Sequence, residues 1–172
     1  MPNDMRTVWE RCIALEESAA AVYETLARRF RGDPELAALW AAMARDEHDH
    51  ARQLATWRAL VAQEPAEHRP QAGGFDAGIA DVQRLLAESR VAVETADEED
   101  AFAIALALEN SELDVIYTTL LQSSPLARHP GRADGVRHET AAHHAKLLDM
   151  VRRRCRAEKT MLRAALLAGH HG

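Results

Sequence analysis

The sequence has few cysteines and no long uncharged run, and each shortage excludes a class of protein. Its 2 cysteines, Cys12 and Cys155, lie far apart and outside any Cys-x-x-Cys pair. This spacing excludes a zinc ribbon, a rubredoxin-type iron site and a disulfide framework, so we expect two reduced core thiols. The longest uncharged stretch, residues 115–127, is too short and too polar to cross a bilayer, so we predict no transmembrane helix and no membrane partner.

The chain also lacks a surplus of basic residues. Lys and Arg total 21 against 27 Asp and Glu, which gives a formal net charge of −6. Without a long basic run to bind phosphates, the chain is not expected to bind nucleic acid. Its first residues contain neither an apolar segment nor a small-residue cleavage site for export, which predicts a cytoplasmic protein.

Glycine and proline are scarce and clustered, which leaves long windows that favour helix. The chain contains 8 Gly and 6 Pro, while 34 Ala and 19 Leu outnumber the 13 Val and Ile residues. Alanine and leucine are strong helix formers, and β-branched residues are enriched in strands. We therefore predict an all-α fold in a single domain, 1–172, with the main bundle at about 4–160 and its helices covering most of 4–30, 34–62, 97–122 and 135–160.

Polar residues that can cap a helix precede several of these windows: Asn3 or Asp4, Asp33 and Asp134. Pro34 suits the first position of the second helix. Residues 95–98 resemble a capping box, which separates a short crossover helix at 79–95 from the following main helix. Two short links and one long link favour a four-helix bundle with a short helix in the connection between helices 2 and 3.

Helix 2 has the clearest apolar stripe, and two polar residues interrupt it. Residues at alternating spacings of four and three define its inward face: Leu36, Trp40, Met43, Glu47, His50, Leu54, Trp57 and Val61. A lone buried carboxylate is costly unless it is paired, protonated or bound to a metal ion. Glu47 and His50 therefore indicate either a hydrogen-bonded core pair or a metal site.

The other three main helices carry the same kind of interruption. Glu16 lies at the edge of the apolar stripe of helix 1, whereas Glu17 lies on a face that we expect to be solvated. Glu109 and Glu112 lie one turn apart on helix 3, and His144 lies in the stripe of helix 4. Four interruptions near mid-length favour metal coordination over a core network. Mixed carboxylate and imidazole donors suit iron or manganese, with zinc a further candidate.

Four segments resemble the four-helix domain of rubrerythrins, within the ferritin-like superfamily. They are ALEESAAAVYETLA (14–27), LAALWAAMARDEHDHARQL (36–54), ALALENSELDVIY (105–117) and HHAKLL (143–148). The resemblance implies a ferritin-like fold and a dinuclear iron site whose ligands are Glu16, Glu47, His50, Glu109, Glu112 and His144. It also places Tyr23 and Tyr117 nearby, where we expect them to hydrogen-bond ligating carboxylates or to act as redox relays.

Two departures from the family pattern affect the expected chemistry. Aligning helix 2 with helix 4 sets Ala141 opposite Glu47, so the second Glu-x-x-His has lost the Glu that bridges the metals in the family. We expect Glu112 to replace this missing ligand. Glu139 is the alternative replacement, but we expect it to be a surface acid. Nothing after residue 155 resembles a rubredoxin domain, so electrons would come from a separate rubredoxin-like protein or flavoprotein.

Three functions are open at this point. The first is reduction of hydrogen peroxide or activation of dioxygen at a dinuclear iron site. The second is storage, trafficking or sensing of iron or manganese without turnover, which the missing bridging Glu favours. The third is a ferritin-like scaffold with a degenerate site, which would leave buried carboxylates unpaired.

The resemblance to rubrerythrins also predicts that the protein forms a homodimer.

Overall fold

The computed structural model describes residues 5–63, 76–112 and 130–169, of which 112, 130–141 and 159 are described by their backbone only. These residues form six α-helices and no β-strand: α1 (Met5–Arg29), α2 (Pro34–Ala62), α3 (Asp76–Ala92), α4 (Glu98–Glu112), α5 (Pro130–Arg154) and α6 (Glu158–Gly169). None of the described helices is both long and apolar enough to cross a membrane. The all-α prediction is confirmed, and the short helix α3 lies in the long connection between α2 and α4.

The start of α2 agrees with its sequence signal. Asp33 Oδ1 accepts hydrogen bonds from Glu35 N at 3.1 Å and from Leu36 N at 3.2 Å. Pro34 is the first helical residue, where its missing N–H costs no hydrogen bond. This cap fixes where the long helix that carries Glu47 begins.

The start of α4 differs from its sequence signal. Asp97 Oδ1 accepts a hydrogen bond from Asp100 N at 2.9 Å, and Asp97 N donates to Asp100 Oδ2 at 3.4 Å. The capping box predicted at 95–98 is therefore wrong by two residues, because Asp97 and Asp100 supply the same reciprocal pair.

The boundaries of α5 also differ from the prediction. The helix begins at Pro130, so Asp134 lies inside it rather than at its cap, and a proline is compatible with a first helical turn. Residues 155–157 are not helical and separate α5 from α6, where one helix through residue 160 was predicted. The expected cap at Asn3 or Asp4 and the expected helix at 113–122 lie outside the described residues.

Buried apolar side chains fill the space between the helices. The largest fully buried side chains include Trp9, Trp40 and Phe102, and among the described helices α1 and α2 form the most extensive pair. Both cysteines are free and buried, and burial raises the pKa of Cys12 and of Cys155 to about 12. These thiols therefore stay protonated and behave as small core residues.

Arg154 joins the end of α5 to the starts of α2 and α4. Its guanidinium donates to Asp33 Oδ2 at 2.7 Å and to Glu98 Oε1 at 2.7 Å. A third carboxylate oxygen, Glu35 Oε2, lies 3.2 Å from Arg154 Nη1. Because His143 lies about three helical turns before Arg154, these contacts help to fix where His143 meets α2 and α4.

Candidate metal centre

Carboxylates and imidazoles from four helices converge in the interior of the bundle. The group contains one residue of α1, two of α2, one of α4 and one of α5: Glu16, Glu47, His50, Glu109 and His143. The side chain of His50 is 22% exposed, whereas each of the other four is at most 3% exposed. The polar residues that interrupt the apolar stripes are therefore buried together.

The first of two overlapping donor groups joins α1 to α2. His50 Nδ1 forms a hydrogen bond of 3.0 Å with Glu47 Oε2 and lies 3.7 Å from Glu16 Oε2. Glu16, Glu47 and His50 each offer a donor atom, and these atoms lie within 4.8 Å of one another. A single cation can therefore contact all three side chains.

The second donor group joins α2, α4 and α5. His143 Nε2 lies 3.0 Å from Glu47 Oε1 and 3.0 Å from Glu109 Oε2. The donor atoms of these three residues also lie within 4.8 Å of one another. Glu47 thus belongs to both groups, with Oε2 beside the first histidine and Oε1 beside the second.

Three buried polar atoms of this centre form no well-aligned hydrogen bond, although charged groups lie close to each of them: Glu16 Oε2, Glu47 Oε1 and His143 Nε2. Buried polar atoms are nearly always paired, because an unpaired one costs free energy. The described part of the chain contains only three other such side-chain atoms. Bound cations would satisfy all three atoms of the centre, and the carboxylate and imidazole donors suit iron, manganese or zinc. The residues present therefore fit metal binding.

The protonation of the first group reflects its burial and its close charges. Burial raises the pKa of Glu16 to about 8. Burial also disfavours the charged form of Glu47, but His143 and His50 outweigh it and lower the pKa of Glu47 below its ordinary value. For His50, burial is outweighed by Glu16 and Glu47, so its pKa rises to about 10. At neutral pH, protons on Glu16 and His50 therefore offset part of the negative charge of the buried carboxylates. A bound metal ion would offset that charge in their place.

Asp46 holds His143 in one orientation. Asp46 Oδ2 lies 3.0 Å from His143 Nδ1 and 2.5 Å from Lys146 Nζ. Burial would raise the pKa of Asp46, but these two partners outweigh it and lower the pKa to about 2. An ionised carboxylate can only accept, so His143 Nδ1 must carry a hydrogen. Nε2 is then the nitrogen that can bind a metal ion beside Glu47 and Glu109.

The charge of His143 follows from the same contacts. Burial disfavours the imidazolium, but Glu109 and Asp46 outweigh it, so the pKa of His143 lies well above its ordinary value. Before metal binding, Nε2 is therefore protonated as well. A metal ion that binds there must displace this proton.

Tyr23 orients Glu109 from the other side of the centre. The Tyr23 hydroxyl donates to Glu109 Oε1 at 2.5 Å, while Glu109 Oε2 lies beside His143. The Tyr23 ring also stacks on Trp40, with ring centroids 6.1 Å apart and an interplanar angle of 4°. Tyr23 thus contacts the centre through one of its carboxylates and is itself held by the core.

The structure places His143, rather than His144, in the second donor group. His144 Nε2 lies 2.8 Å from Glu109 Oε2, so His144 also touches the centre. The apolar stripe through Leu147 predicts His144 as the ligand, and His143 lies one residue before it. The buried residues Leu147 and Met150 stand four and seven positions after His143, and this spacing was the available signal.

The remaining predicted residues fall into two classes. Glu17 is exposed, and His48 Nε2 lies 3.2 Å from Glu24 Oε1, so both lie away from the centre. The side chains of Glu112 and Glu139, and the whole of Tyr117, lie outside the described residues. Their predicted roles stay predictions. Asp46 was not singled out, because its contact with His143 spans 97 positions of sequence.

Buried carboxylates and histidines on the helices of an all-α bundle define a candidate helical-bundle metal protein. The family model for rubrerythrin matches residues 8–103, which is more than half of the chain. The chain therefore belongs to the rubrerythrin family, and the resemblance identified from its sequence is confirmed. The match includes Glu16, Glu47 and His50 but ends before Glu109 and His143, whose place in the centre depends on the geometry alone. No curated protein and no solved structure matches the chain.

Proposed function

We propose that the chain is a dinuclear iron-carboxylate protein that reduces hydrogen peroxide with electrons from a separate donor. The main support is the position of Glu47, whose two carboxylate oxygens lie 3.0 Å from His50 Nδ1 and 3.0 Å from His143 Nε2. A carboxylate between two donor groups can bridge two cations. Membership of the rubrerythrin family supports iron as the metal.

Each ion has its own set of ligands in this proposal. Glu16, Glu47 and His50 would hold one ion, with Nδ1 as the donor atom of His50. Glu47, Glu109 and His143 would hold the other, with Nε2 as the donor atom of His143. Manganese or zinc suits the same donors, so the metal content of the purified protein decides among them.

The protein contributes binding, orientation and exclusion of water. When bound, two ferrous ions would supply the two electrons by which hydrogen peroxide, taking up two protons, is reduced to two water molecules. Tyr23 holds Glu109 Oε1, and Asp46 holds His143 Nδ1, so the ligand atoms are aligned before a metal binds. Burial of the other donors leaves His50 as the donor nearest to solvent.

The proposed electron donor is a rubredoxin-like protein or a flavoprotein. Repeated turnover needs such a partner, because each peroxide consumes two electrons. The homodimer and the cytoplasmic location expected from the sequence stay predictions.

A second candidate is iron or manganese binding without turnover. It is favoured by Ala141, which stands on α5 where the family pattern has a bridging Glu. In that case the centre would bind or sense metal ions but would not distinguish peroxide from dioxygen.

The test begins with protein loaded with Fe(II) in the absence of oxygen. In a stopped-flow experiment, stoichiometric peroxide should oxidise the centre within seconds and faster than dioxygen does, and further turnover should require an added reductant. His50→Ala should abolish the fast phase, whereas the matched variant His48→Ala should retain it, because His48 contacts Glu24 rather than the centre. Uptake of many iron atoms per chain without a preference for peroxide would support storage instead, and failure to bind iron would overturn both functions.

A further inference from the structure

A charged groove between α2 and α5 lies beside the metal centre. Its volume is about 540 Å³, and its lining includes one face of α2 and two residues of α5. Its lining includes five ionisable side chains and one alanine: Asp46, Asp49, His50, Arg52, Lys146 and Ala142. The groove is open along the surface, so solvent reaches these side chains.

His50 belongs to both the groove and the centre. It lines the groove, and its side chain is 22% exposed. The two carboxylates that it contacts, Glu16 and Glu47, are 3% and 0% exposed. Among the described residues, His50 is the one that both lines the groove and contacts these carboxylates.

Asp46 forms a second connection between the groove and the centre. It lines the groove, and its carboxylate binds His143 Nδ1 at 3.0 Å. The groove thus includes His50 of the first donor group and Asp46, which contacts His143 of the second. The contact between Asp46 and His143 therefore connects the groove to the buried centre.

The charges of the groove are arranged in two ion pairs. Lys146 Nζ lies 2.5 Å from Asp46 Oδ2, and Arg52 pairs with Asp49. The side chains of Asp49 and Arg52 are 58% and 71% exposed, whereas that of Asp46 is 25% exposed. The charges cancel within each pair, so neither pair as a unit repels a neutral molecule such as peroxide or a divalent cation.

We propose that this groove is the route by which metal ions and peroxide reach the buried centre, with His50 at its inner end. The inference depends on the proposed function, because it assigns an access path to that same centre. Ala142 is small and exposed and lines the groove from α5. A larger side chain at this position therefore narrows the route without replacing any donor residue.

The first experiment uses Co(II), whose visible absorption reports its binding. Ala142→Phe is compared with wild type and with Ala145→Phe, which changes an exposed alanine of the same helix outside the groove lining. Ala142→Phe should slow both association and chelator-driven dissociation by about tenfold. Since an obstructed route slows both directions equally, the equilibrium affinity and the absorption spectrum should not change. Ala145→Phe should match wild type.

A second experiment separates charge from size. Asp49→Asn should slow Co(II) association by about two- to threefold at low ionic strength, and Arg52→Gln should speed it by a similar factor. Neither variant should change the rate at which neutral peroxide oxidises the Fe(II)-loaded protein. Ala142→Phe should slow that oxidation as well, because it obstructs any solute.

The outcomes distinguish this inference from the proposed function. If wild type binds no Co(II) and no Fe(II), the proposed function fails. If wild type binds Co(II) but Ala142→Phe shows unchanged rates, or Ala145→Phe slows binding equally, the access route is overturned. A changed affinity or spectrum in Ala142→Phe also overturns it, because such a change indicates a damaged centre.

Discussion

Glu47 Oε1 lies 3.0 Å from His143 Nε2 in the core, but the two atoms form no well-aligned hydrogen bond. His143 Nε2 is equally close to Glu109 Oε2, so its one N–H is shared between two oxygens and aligns well with neither. An arrangement of this kind is expected where a cation completes the contacts of all three atoms.

The choice between adjacent histidines is the first test of the centre. His143→Ala should lower the affinity for Co(II) more than His144→Ala does, because His143 contacts both Glu47 and Glu109 whereas His144 is placed beside Glu109. Isothermal titration of both variants at the same pH gives the comparison. A larger loss in His144→Ala would support His144, the histidine predicted from the sequence, as the ligand.

Asp46 should act on metal binding through His143. Asp46→Asn should weaken metal affinity by about 10- to 100-fold, because the amide no longer enforces a hydrogen on His143 Nδ1. Lys146→Met is the matched control, since it removes the other partner of Asp46 but leaves the contact with His143. Equal metal affinity in Asp46→Asn and wild type would show that the orientation of His143 does not depend on Asp46.

The stability of the metal-free protein should fall as pH rises above neutrality. The pKa of His50 rises from 6.5 to about 10 on folding, and that of Glu16 from 4.5 to about 8. Each group keeps a proton in the folded state that the unfolded chain loses, so its contribution to stability declines as pH rises toward the folded pKa. Between about pH 6 and about pH 8.5, the free energy of unfolding should fall by roughly 2 to 3 kcal/mol for each of the two groups.

Metal ions should reverse this pH dependence. Binding displaces protons from Glu16, His50 and His143, so metal affinity increases with pH. Urea unfolding in the presence of a chelator and of saturating Mn(II), at the same two pH values, measures both trends. If the metal-free protein is instead more stable at the higher pH, the proton assignments for this centre are wrong.

The substitute for the bridging Glu that the family pattern has at Ala141 is open to a direct comparison. We predict that Glu112→Ala lowers metal stoichiometry or peroxide reduction sharply, because Glu112 stands on α4 one turn after Glu109. Glu139→Ala should change little. The opposite ranking would identify Glu139, one turn before His143 on α5, as the replacement ligand.

The fold could be predicted because each long window carries its own signals. Scarce Gly and Pro, together with the cap at Asp33, define α2 from local sequence alone. Glu16, Glu47 and Glu109 were found in the same way, since each is a carboxylate in or at the edge of an otherwise apolar stripe. Such residues can be identified from the local sequence, without knowledge of the side chains that contact them in the fold.

The roles of His143 and Asp46 could not be predicted, because they depend on how the helices pack against one another. His143 and His144 both lie on the broad buried face of α5, and only its packing against α2 and α4 distinguishes them. Asp46 resembles a surface acid in the sequence until α5 brings His143 and Lys146 to it. Local periodicity contains no information on such contacts between distant segments.

The central claim is that one carboxylate, that of Glu47, serves two metal ions in the same chain. Its most direct test is a titration with Mn(II) followed by electron paramagnetic resonance, on wild type, Glu47→Ala and the exposed-site control Glu17→Ala. Wild type and the control should bind two ions per chain, and the spectrum of isolated Mn(II) should give way to that of an exchange-coupled pair as the second ion binds. Glu47→Ala should never develop the coupled spectrum. Binding of one ion per wild-type chain, or of two ions without coupling, would contradict the claim.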